Sequence, residues 1–350
     1  MSVIRSEAVP VEARPNCCLC GALGQILHEH LSDNLFGTAG LWTIKRCPTA
    51  TCGLAWLDPM PSVDGVTIAY RGYYTHSPPF TESRSRAVRE AVWALATSVI
   101  YGIAGRRRML QLQEQKRNAY LPSQMPGKLL DVGCGSGQRM AHFRGLGWNV
   151  VGQDVDESAV GRARKTSGAD VYAGPLQAIG FQDETFDAII IEHVIEHVHH
   201  PADLLRECVR ILKPNGTMVL VTPNLDSYGH ASFGPSWRGL EPPRHLHLFS
   251  PTSLAGLADT VSLATSEIWT TPASAEGIFF LSHPLPSRAN YLSTAIRYLM
   301  GMRFGHRALD AHCRDGRTGE ELILRYRRST SQSSFPGIER PETGINEAAS

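Results

Sequence analysis

The sequence predicts an α/β protein built on a doubly wound, seven-stranded and mostly parallel sheet. From Gly127 onward, short apolar runs alternate with amphipathic segments, which is typical of a parallel sheet covered on both faces. The runs are uniformly apolar, as in FDAIII at 186–191, and the first one ends in a glycine-rich loop. Residues 16–57 are rich in cysteine and residues 82–120 have a helical pattern. We therefore expect a small N-terminal unit and a helical lid beside the sheet.

The N-terminal unit is predicted to bind a metal ion. Residues 1–15 show no periodicity, are expected to be disordered, and lack the apolar segment of a signal peptide. The next segment holds two spaced cysteine pairs, Cys17 with Cys20 and Cys47 with Cys52, each followed by glycine. Such pairs suit a tetrahedral four-cysteine zinc ribbon over 16–57, in which Cys18 could replace Cys17. Eight cysteines without a secretory signal favour the cytoplasm.

Residues 58–126 are predicted to form a connector and the helical lid. The stretch 58–80 is rich in Pro, Gly and Tyr, and prolines end the helical region after residue 120. The run Ala91–Gly105 is apolar but shorter than the ~20 residues that a membrane-spanning helix needs. Three arginines follow it. Three interpretations stay open: a core or homodimer helix, a roof over an apolar pocket, or a peripheral membrane contact.

The main domain is predicted over 127–328. Its seven strands correspond to KLLDVG, NVVGQD, ADVYAG, FDAIII, TMVLVTPN, SEIWTT and EELILRYRR. An insertion at 276–318, partly helical and aromatic, separates the last two strands. The polar tail 329–350 is expected to be disordered.

The loop after the first strand is a candidate nucleoside site. It reads DVGCGSG, and in a doubly wound sheet ligands bind at the carboxyl ends of strands where the order reverses. A dinucleotide fingerprint requires G-x-G-x-x-G, and this loop lacks the third glycine at that spacing, which disfavours a dehydrogenase. Asp154 ends the second strand and is well placed for the two hydroxyls of a ribose, with Asp156 as the second choice.

Four segments, LLDVGCGSG, VVGQDVD, FDAIIIEHVIEHVHHP and LKPNGTMVLVTPN, together resemble a ubiquinone-type class I methyltransferase that uses S-adenosylmethionine. The resemblance covers 127 to about 328 and implies a Rossmann-like methyltransferase fold. It implies that the glycine loop packs against the methionine part of the cofactor, that Asp154 holds the ribose, and that Leu176 borders the adenine. The implied cofactor-binding residues are Asp131, Gly133, Gly135, Gly137, Asp154, Val155, Leu176 and Glu192.

The stretch EHVIEHVHH after the fourth strand has three interpretations: a metal site, a general base, or a polar turn. His193, Glu196 and His197 are spaced to share one face of a helix. Downstream, His245 and His247 alternate, so only one can face the same pocket, and we expect His245. The resemblance implies a Glu-x-x-Glu-His motif plus a later histidine, which bind a metal in several relatives. Here His193 replaces the first glutamate, which favours zinc or another transition metal over magnesium.

These observations predict a methyltransferase with a small-molecule, glycan or secondary-metabolite acceptor, preferably methylated on a hydroxyl oxygen. C- or N-methylation of a nucleotide sugar or natural product is the alternative, since the N-terminal unit makes the chain similar to bacterial methyltransferases with a zinc-binding domain. The segment 234–251 is expected to cover a partly apolar acceptor. An RNA methyltransferase is a less favoured alternative, because a net charge of +1 disfavours nucleic acid as partner. A non-catalytic zinc-ribbon binding module and an NAD-dependent dehydrogenase are the least favoured interpretations.

Overall fold

The computed structural model describes residues 8–70, 86–263, 265–282 and 291–330, with side chains from residue 99 in one long helix and from residue 296 in another. Seven strands form the main sheet. They are β6 (Lys128–Val132), β7 (Asn149–Asp154), β8 (Asp170–Ala173), β9 (Phe186–Glu192), β10 (Leu212–Pro223), β12 (Glu267–Thr271) and β13 (Glu321–Arg327). Their order is β12-β13-β10-β9-β6-β7-β8, and only β13 runs antiparallel to its neighbours. All seven predicted strands are confirmed, and the sheet is doubly wound and Rossmann-like.

The centre of this sheet is apolar because its strands are covered on both faces. Ile189, Ile190 and Ile191 are all fully buried, so neighbouring residues that point to opposite faces are equally apolar. The order reverses between β6 and β9, which pair in parallel with Val132 opposite Ile191. The loops that follow these two strands therefore begin side by side at one edge of the sheet.

Helices cover both faces and extend the edge. The described helices are α1 (Val63–Ala69), α2 (Arg86–Arg117), α3 (Gln138–Gly145), α4 (Glu157–Ser167), α5 (Leu176–Ile179), α6 (Pro201–Ile211), α7 (Tyr228–Phe233), α8 (Pro251–Thr260), α9 (Ala275–Ser282) and α10 (Tyr291–Arg314). Helix α4 begins at Asp156, whose side chain accepts from the amide of Ser158, and ends at a left-handed Gly168. Helix α6 begins at Pro201, as the sequence predicts.

The N-terminal unit shares a sheet with the main domain. Strands β2 (Gln25–Leu31), β3 (Trp42–Arg46) and β4 (Ala55–Leu57) are antiparallel, and β11 (His247–Leu248) pairs with β4. The fourth strand of this sheet therefore comes from the segment after β10. The predicted boundary at residue 57 does not separate two sheets.

The prediction that residues 1–15 are disordered is wrong for the described part of that segment. Strand β1 (Val11–Glu12) pairs with β5 (Met60–Pro61), and the amide of Arg14 donates to Asp58 Oδ1 at 2.7 Å. A two-residue strand shows no periodicity, and its partner lies far along the chain. Residues 1–7 and the tail at 331–350 lie outside the described residues.

The predicted lid corresponds to α2, which Gly102 divides into two helical segments with a left-handed φ of 66°. It packs against α10, which with α9 forms the predicted insertion. Val99 and Ile103 on α2 are 77% and 72% exposed. Membrane or homodimer contact through this face stays a prediction. Across the described ranges, no helix is both long and apolar enough to cross a bilayer.

Candidate active site

The glycine loop after β6 combines close packing with open space. Gly133, Gly135 and Gly137 all have left-handed φ values. A Cβ on Gly137 would lie 2.7 Å from the Cα of Ala163 in α4, whereas a Cβ on Gly135 would meet no atom within 4 Å. Gly137 therefore lets α3 start against α4, and Gly135 faces open space beyond the carboxyl end of β6.

Asp154 at the end of β7 closes this loop. Its Oδ2 accepts from the amide of Gly135 at 2.9 Å, and its Oδ1 accepts from the amide of Asp156 at 3.0 Å. Burial raises the pKa of Asp154, and these amides oppose that shift. Asp156, the second choice, caps α4 instead. Val155 beside the acid is 71% exposed, and its apolar side chain can border a flat ligand.

Arg139 forms ion pairs with both Asp131, in β6, and Glu192, at the end of β9, where the strand order reverses. The Arg139 Nη2 lies 2.8 Å from Asp131 Oδ1, and its Nη1 pairs with Glu192 at the end of β9. Burial raises the pKa of the fully buried Asp131, while Arg139 opposes that shift. Leu176, predicted beside the adenine, is buried at the start of α5. Arg139 was not predicted, although its position just after the glycine loop was a usable signal.

His193 does not lie on a helix, so the predicted helical face at 193–197 is wrong. Its φ is 55°, and the chain after it forms a 3-10 turn over Ile195–His197. His193 Nδ1 lies 3.1 Å from Glu196 Oε1, and its Nε2 lies 3.1 Å from Glu321 Oε1. Desolvation lowers the pKa of His193, and the hydrogen bonds to Glu196 and Glu321 raise it, to about 10. The His193 side chain is 40% exposed, so solvent screens these contacts in part. The two carboxylates therefore favour the imidazolium, which donates from both ring nitrogens and is not a base.

Glu196, His197 and His245 form a second arrangement. One ligand atom from each lies within 4.8 Å of the others. His245 Nδ1 donates to the carbonyl of Gly239 at 2.7 Å, and His197 Nδ1 lies 3.0 Å from the carbonyl of Arg244. Because a carbonyl only accepts, the Gly239 contact places the ring proton of the neutral His245 on Nδ1 and leaves a lone pair on Nε2. The Arg244 carbonyl favours the same tautomer for His197, whose Nδ1 also lies 2.7 Å from the Tyr70 hydroxyl, a group that can accept or donate. As the alternation predicts, His247 lies outside this cluster.

The charges around the cluster favour a cation. Burial raises the pKa of Glu196, but contacts with His193 and His197 lower it to about 2, so it is a carboxylate. Burial lowers the pKa of His245 to about 4, so it is neutral. His245 Nε2 also lies 3.4 Å from Glu241 Oε2. Two lone pairs and a carboxylate therefore converge, with the histidines oriented by backbone carbonyls as in many metal sites.

The N-terminal cysteines converge as well. Cys17, Cys20, Cys47 and Cys52 have sulfur atoms within 4.8 Å of one another, and Cys18 is not among them. The sulfurs of Cys20 and Cys47 are 3.3 Å apart, and those of Cys17 and Cys52 are 3.6 Å apart. Four thiolates bound at ~2.3 Å to one tetrahedral ion would be about 3.8 Å apart. The spacing fits a metal site with four cysteine ligands.

Tyr70, Glu241 and Glu321 also lie at these clusters and were not predicted. The Tyr70 hydroxyl is 2.7 Å from His197 Nδ1. Tyr70 and Glu321 are distant in sequence from the histidines they contact, so no local pattern could indicate them. Glu241 lies four residues before His245, which was a weak local signal.

Comparison with known proteins identifies the family of the main domain. A family model described as a methyltransferase domain matches residues 105–265. A ubiquinone biosynthesis O-methyltransferase of Burkholderia multivorans is 32% identical over 189 residues, covering 50% of this chain and 78% of that protein. Its namesake from Burkholderia cenocepacia is 31% identical over 191 residues, covering 51% and 78%. A solved SAM-dependent methyltransferase from Archaeoglobus fulgidus aligns with a TM-score of 0.43 and 17% identity, covering 67% of this chain and 99% of that one.

Proposed function

The chain belongs to the class I S-adenosylmethionine-dependent methyltransferases, and from this premise we propose that it methylates a hydroxyl oxygen of a small-molecule acceptor. One observation carries the proposal. The loop closed on Asp154 and the cluster of Glu196, His197 and His245 both lie beyond the carboxyl ends of parallel strands, at one edge of the sheet. Similarity to proteins named ubiquinone biosynthesis O-methyltransferase supports oxygen as the methylated atom.

The cofactor would lie over the glycine loop. When bound, S-adenosylmethionine supplies a sulfonium methyl group as the electrophile, so the protein must mainly orient the reactants. Asp154 would accept hydrogen bonds from ribose hydroxyls. The open space at Gly135 would let the cofactor lie close to the backbone of the loop. The proposed cofactor-binding residues are Asp131, Gly133, Gly135, Gly137, Asp154, Val155, Leu176 and Glu192.

Glu196, His197 and His245 would hold a divalent transition metal. Two nitrogens and one carboxylate suit zinc or a related ion better than magnesium. When bound, such an ion acidifies and orients a hydroxyl group. The alternative is that the Nε2 lone pair of His197 or His245 takes the proton directly. His193 would serve neither role, because it is already protonated; it compensates the charges of Glu196 and Glu321.

A separate structural zinc ion is proposed for Cys17, Cys20, Cys47 and Cys52. Backbone amides point at these sulfurs, with Thr49 bonded to Cys47 and Leu54 to Cys52. Such bonds stabilise thiolates, which are the ligand form. A site with four cysteine ligands has no open position, so its contribution would be to folding and not to the reaction.

The cofactor assignment is tested by calorimetry on two aspartate variants. Asp154→Ala removes both the ribose acceptor and the anchor of Gly135, so S-adenosylmethionine affinity should fall on the order of 100-fold. Asp156→Asn is the matched control; it keeps the helix cap and should leave affinity unchanged. NAD should bind neither protein. Retained affinity in Asp154→Ala would contradict the proposed site.

The metal assignment is tested by metal analysis and turnover. The wild-type chain should hold two ions, and His245→Ala should hold only the one at the cysteines. Methyl transfer, followed with labelled cofactor against a metabolite extract, should stop on chelation and return with added metal. If neither chelation nor added metal changes turnover, the direct-base alternative is favoured. The labelled product would identify the acceptor.

A further inference from the structure

We propose that Asp33, in the N-terminal unit, is a positioning residue of the methyl-transfer site, acting through Arg244 on the histidines of the acceptor side. The inference rests on the proposed function, because it assigns a role relative to Glu196, His197 and His245. It departs from the expectation that the N-terminal unit only binds zinc. The inference is argued from the contacts between the loop that holds Asp33 and the segment that holds Arg244.

Asp33 and Arg244 form a two-pronged ion pair that is closed to solvent. Arg244 Nη2 donates to Asp33 Oδ1 at 2.8 Å, and Nη1 donates to Oδ2 at 2.9 Å, with the Arg244 and Asp33 side chains 0% and 1% exposed. Nη1 also donates to Thr38 Oγ1 and to the carbonyl of Ala69. The Phe36 ring lies 4.4 Å from the guanidinium carbon. A planar fork held on this many sides has one orientation.

Asp33 is itself fixed by its own loop between β2 and β3. The amides of Leu35 and Phe36 donate to Oδ1, and the amide of Thr38 donates to Oδ2. Two donors from Arg244 and three from the loop therefore converge on one carboxylate. The loop is built to hold this acid in place, and the acid in turn holds an arginine from the main domain.

The backbone of Arg244, which this ion pair holds in place, contacts His197. The carbonyl of Arg244 lies 3.0 Å from His197 Nδ1 and, together with the Tyr70 hydroxyl on the same nitrogen, orients the ring beside Glu196. The amide of Leu246, two residues after Arg244, donates to the carbonyl of Glu196 at 2.8 Å. A shift of Arg244 would therefore move the partners of both Glu196 and His197.

The side chain of Arg244 reaches His245 through Glu241. Arg244 Nε donates to Glu241 Oε1 at 3.0 Å, and Glu241 Oε2 lies 3.4 Å from His245 Nε2. Arg238 pairs with the same glutamate. Two arginines and the two acids Asp33 and Glu241 therefore form a neutral buried set. Loss of the Asp33 charge would leave Arg244 to compete for Glu241 and disturb the environment of His245.

The test compares Asp33→Asn with wild type on readouts that need no acceptor. The probe is Co²⁺, titrated into protein whose cysteine site already holds zinc. Loss of a group that orients a metal ligand typically weakens metal binding by ~10–100-fold, and we expect a loss of that size with S-adenosylmethionine affinity unchanged. The second readout is the NMR signature of the histidine ring nitrogens, which should show Nδ1 protonated on His197 and His245 in wild type and altered in the variant.

Asp58→Asn is the matched control. Asp58, directly after the N-terminal unit, is another largely buried acid, paired with Lys45 at 2.5 Å and bonded to the amide of Arg14. Neither partner belongs to the cluster of Glu196, His197 and His245, so the variant should leave Co²⁺ affinity and the signals of His197 and His245 unchanged. If Asp33→Asn fails to fold, Arg244→Lys keeps the charge and removes the fork, and it should show the same two changes.

The outcomes separate the inference from the function it rests on. Wild-type Co²⁺ affinity and histidine signals in a folded Asp33→Asn or Arg244→Lys protein would overturn the positioning role. Equal losses in Asp58→Asn would overturn it as well, since the effect would then be general. If wild type binds no Co²⁺ at this cluster, the proposed metal is wrong, but the histidine signals still decide whether Asp33 positions the rings.

Discussion

The three histidines nearest the proposed reaction differ in their surroundings, and for two of them the neighbours set opposite charges. His193 lies between two carboxylates and is held as an imidazolium, with a pKa of about 10. His245 is fully enclosed, donates to a carbonyl and is held neutral, with a pKa of about 4. Residues that look equivalent in the sequence EHVIEHVHH…HLH therefore have different chemistry, because burial and hydrogen-bond partners decide the protonation state.

Glu320 offers a pH test at the residue scale. Burial raises its pKa from 4.5 to about 8, against a hydrogen bond from the amide of Gly229. The folded protein thus keeps a proton that the unfolded chain loses between pH 4.5 and 8, so the free energy of unfolding should fall as pH rises through that window. With ~1.4 kcal/mol per pKa unit, and with the group half-titrated at each end of the window, we expect a loss on the order of 4 kcal/mol.

Glu320→Gln should flatten this dependence, because glutamine carries no titrating proton. Urea unfolding at about pH 5, 6.5 and 8 would measure it, and the variant should be more stable than wild type at the highest of these. Glu157→Gln, on the exposed side of α4, is the control and should keep the wild-type slope. Parallel slopes for wild type and Glu320→Gln would show that Glu320 is ionised in the folded protein.

At the scale of secondary structure, the sequence predicts elements whose signal is local. Each strand of the main sheet is its own apolar run, and Pro201 marks the start of α6. Strands β1 and β11 have two residues each, and their partners are distant in the chain, so no periodicity could reveal them. The prediction for the histidine turn failed for a related reason: two carboxylates from different elements hold His193 in a left-handed conformation.

The same distinction applies to the candidate site. Asp154 and the glycines follow from the strand–loop–helix pattern, and the cysteines from their spacing. Tyr70 and Glu321 contact the histidines, and Asp33 contacts Arg244, only through tertiary structure. What could not be predicted is therefore the set of partners that fix tautomers and charges.

Two of the three loop glycines, Gly135 and Gly137, give a prediction about how α3 and α4 meet. Gly137→Ala would force a Cβ to 2.7 Å from the backbone of Ala163, so it should destabilise by left-handed strain of ~1–2 kcal/mol plus an overpacking cost of roughly 1–3 kcal/mol. Gly135→Ala has no such clash and should lose only the strain. Thermal unfolding separates the two.

Cofactor binding should rank these variants differently. Because the Cβ of Gly135→Ala points into open space at the cleft, its S-adenosylmethionine affinity should fall although the protein stays folded. An unchanged affinity for Gly135→Ala, or equal stability of the two variants, would contradict this description of the loop. Gly161→Ala, on α4 with open space around it, is the control for glycine replacement.

At the scale of the whole molecule, the N-terminal unit and the main domain share one interior. Cys17, Cys47 and Trp56 belong to the same buried cluster as Leu130, in β6, and Leu248, in β11. The described part of the chain therefore does not divide at the connector into two independently packed cores. Loss of the metal ion proposed for the cysteines should therefore destabilise residues beyond the N-terminal unit.

Chelation gives the corresponding prediction. Removing the zinc ion that we propose for the cysteines should release β4, and β11 should lose hydrogen-exchange protection with it, because the two strands pair with each other. Strands β7 and β8, at the far edge of the main sheet, should keep their protection. Hydrogen-exchange mass spectrometry before and after chelation measures this. Faster exchange confined to residues 17–57 would show that the two parts are uncoupled.

The shared four-stranded sheet restricts how this enzyme can be recombined. A chimera that takes residues 8–70 from one relative and the remainder from another would join segments that did not evolve together. Unless the donor offers a carboxylate where Asp33 stands, the enclosed Arg244 would lose its two-pronged partner and share Glu241 with Arg238. Exchanging residues 8–70 to alter acceptor choice would therefore succeed only when residues 241–250 are exchanged together with them.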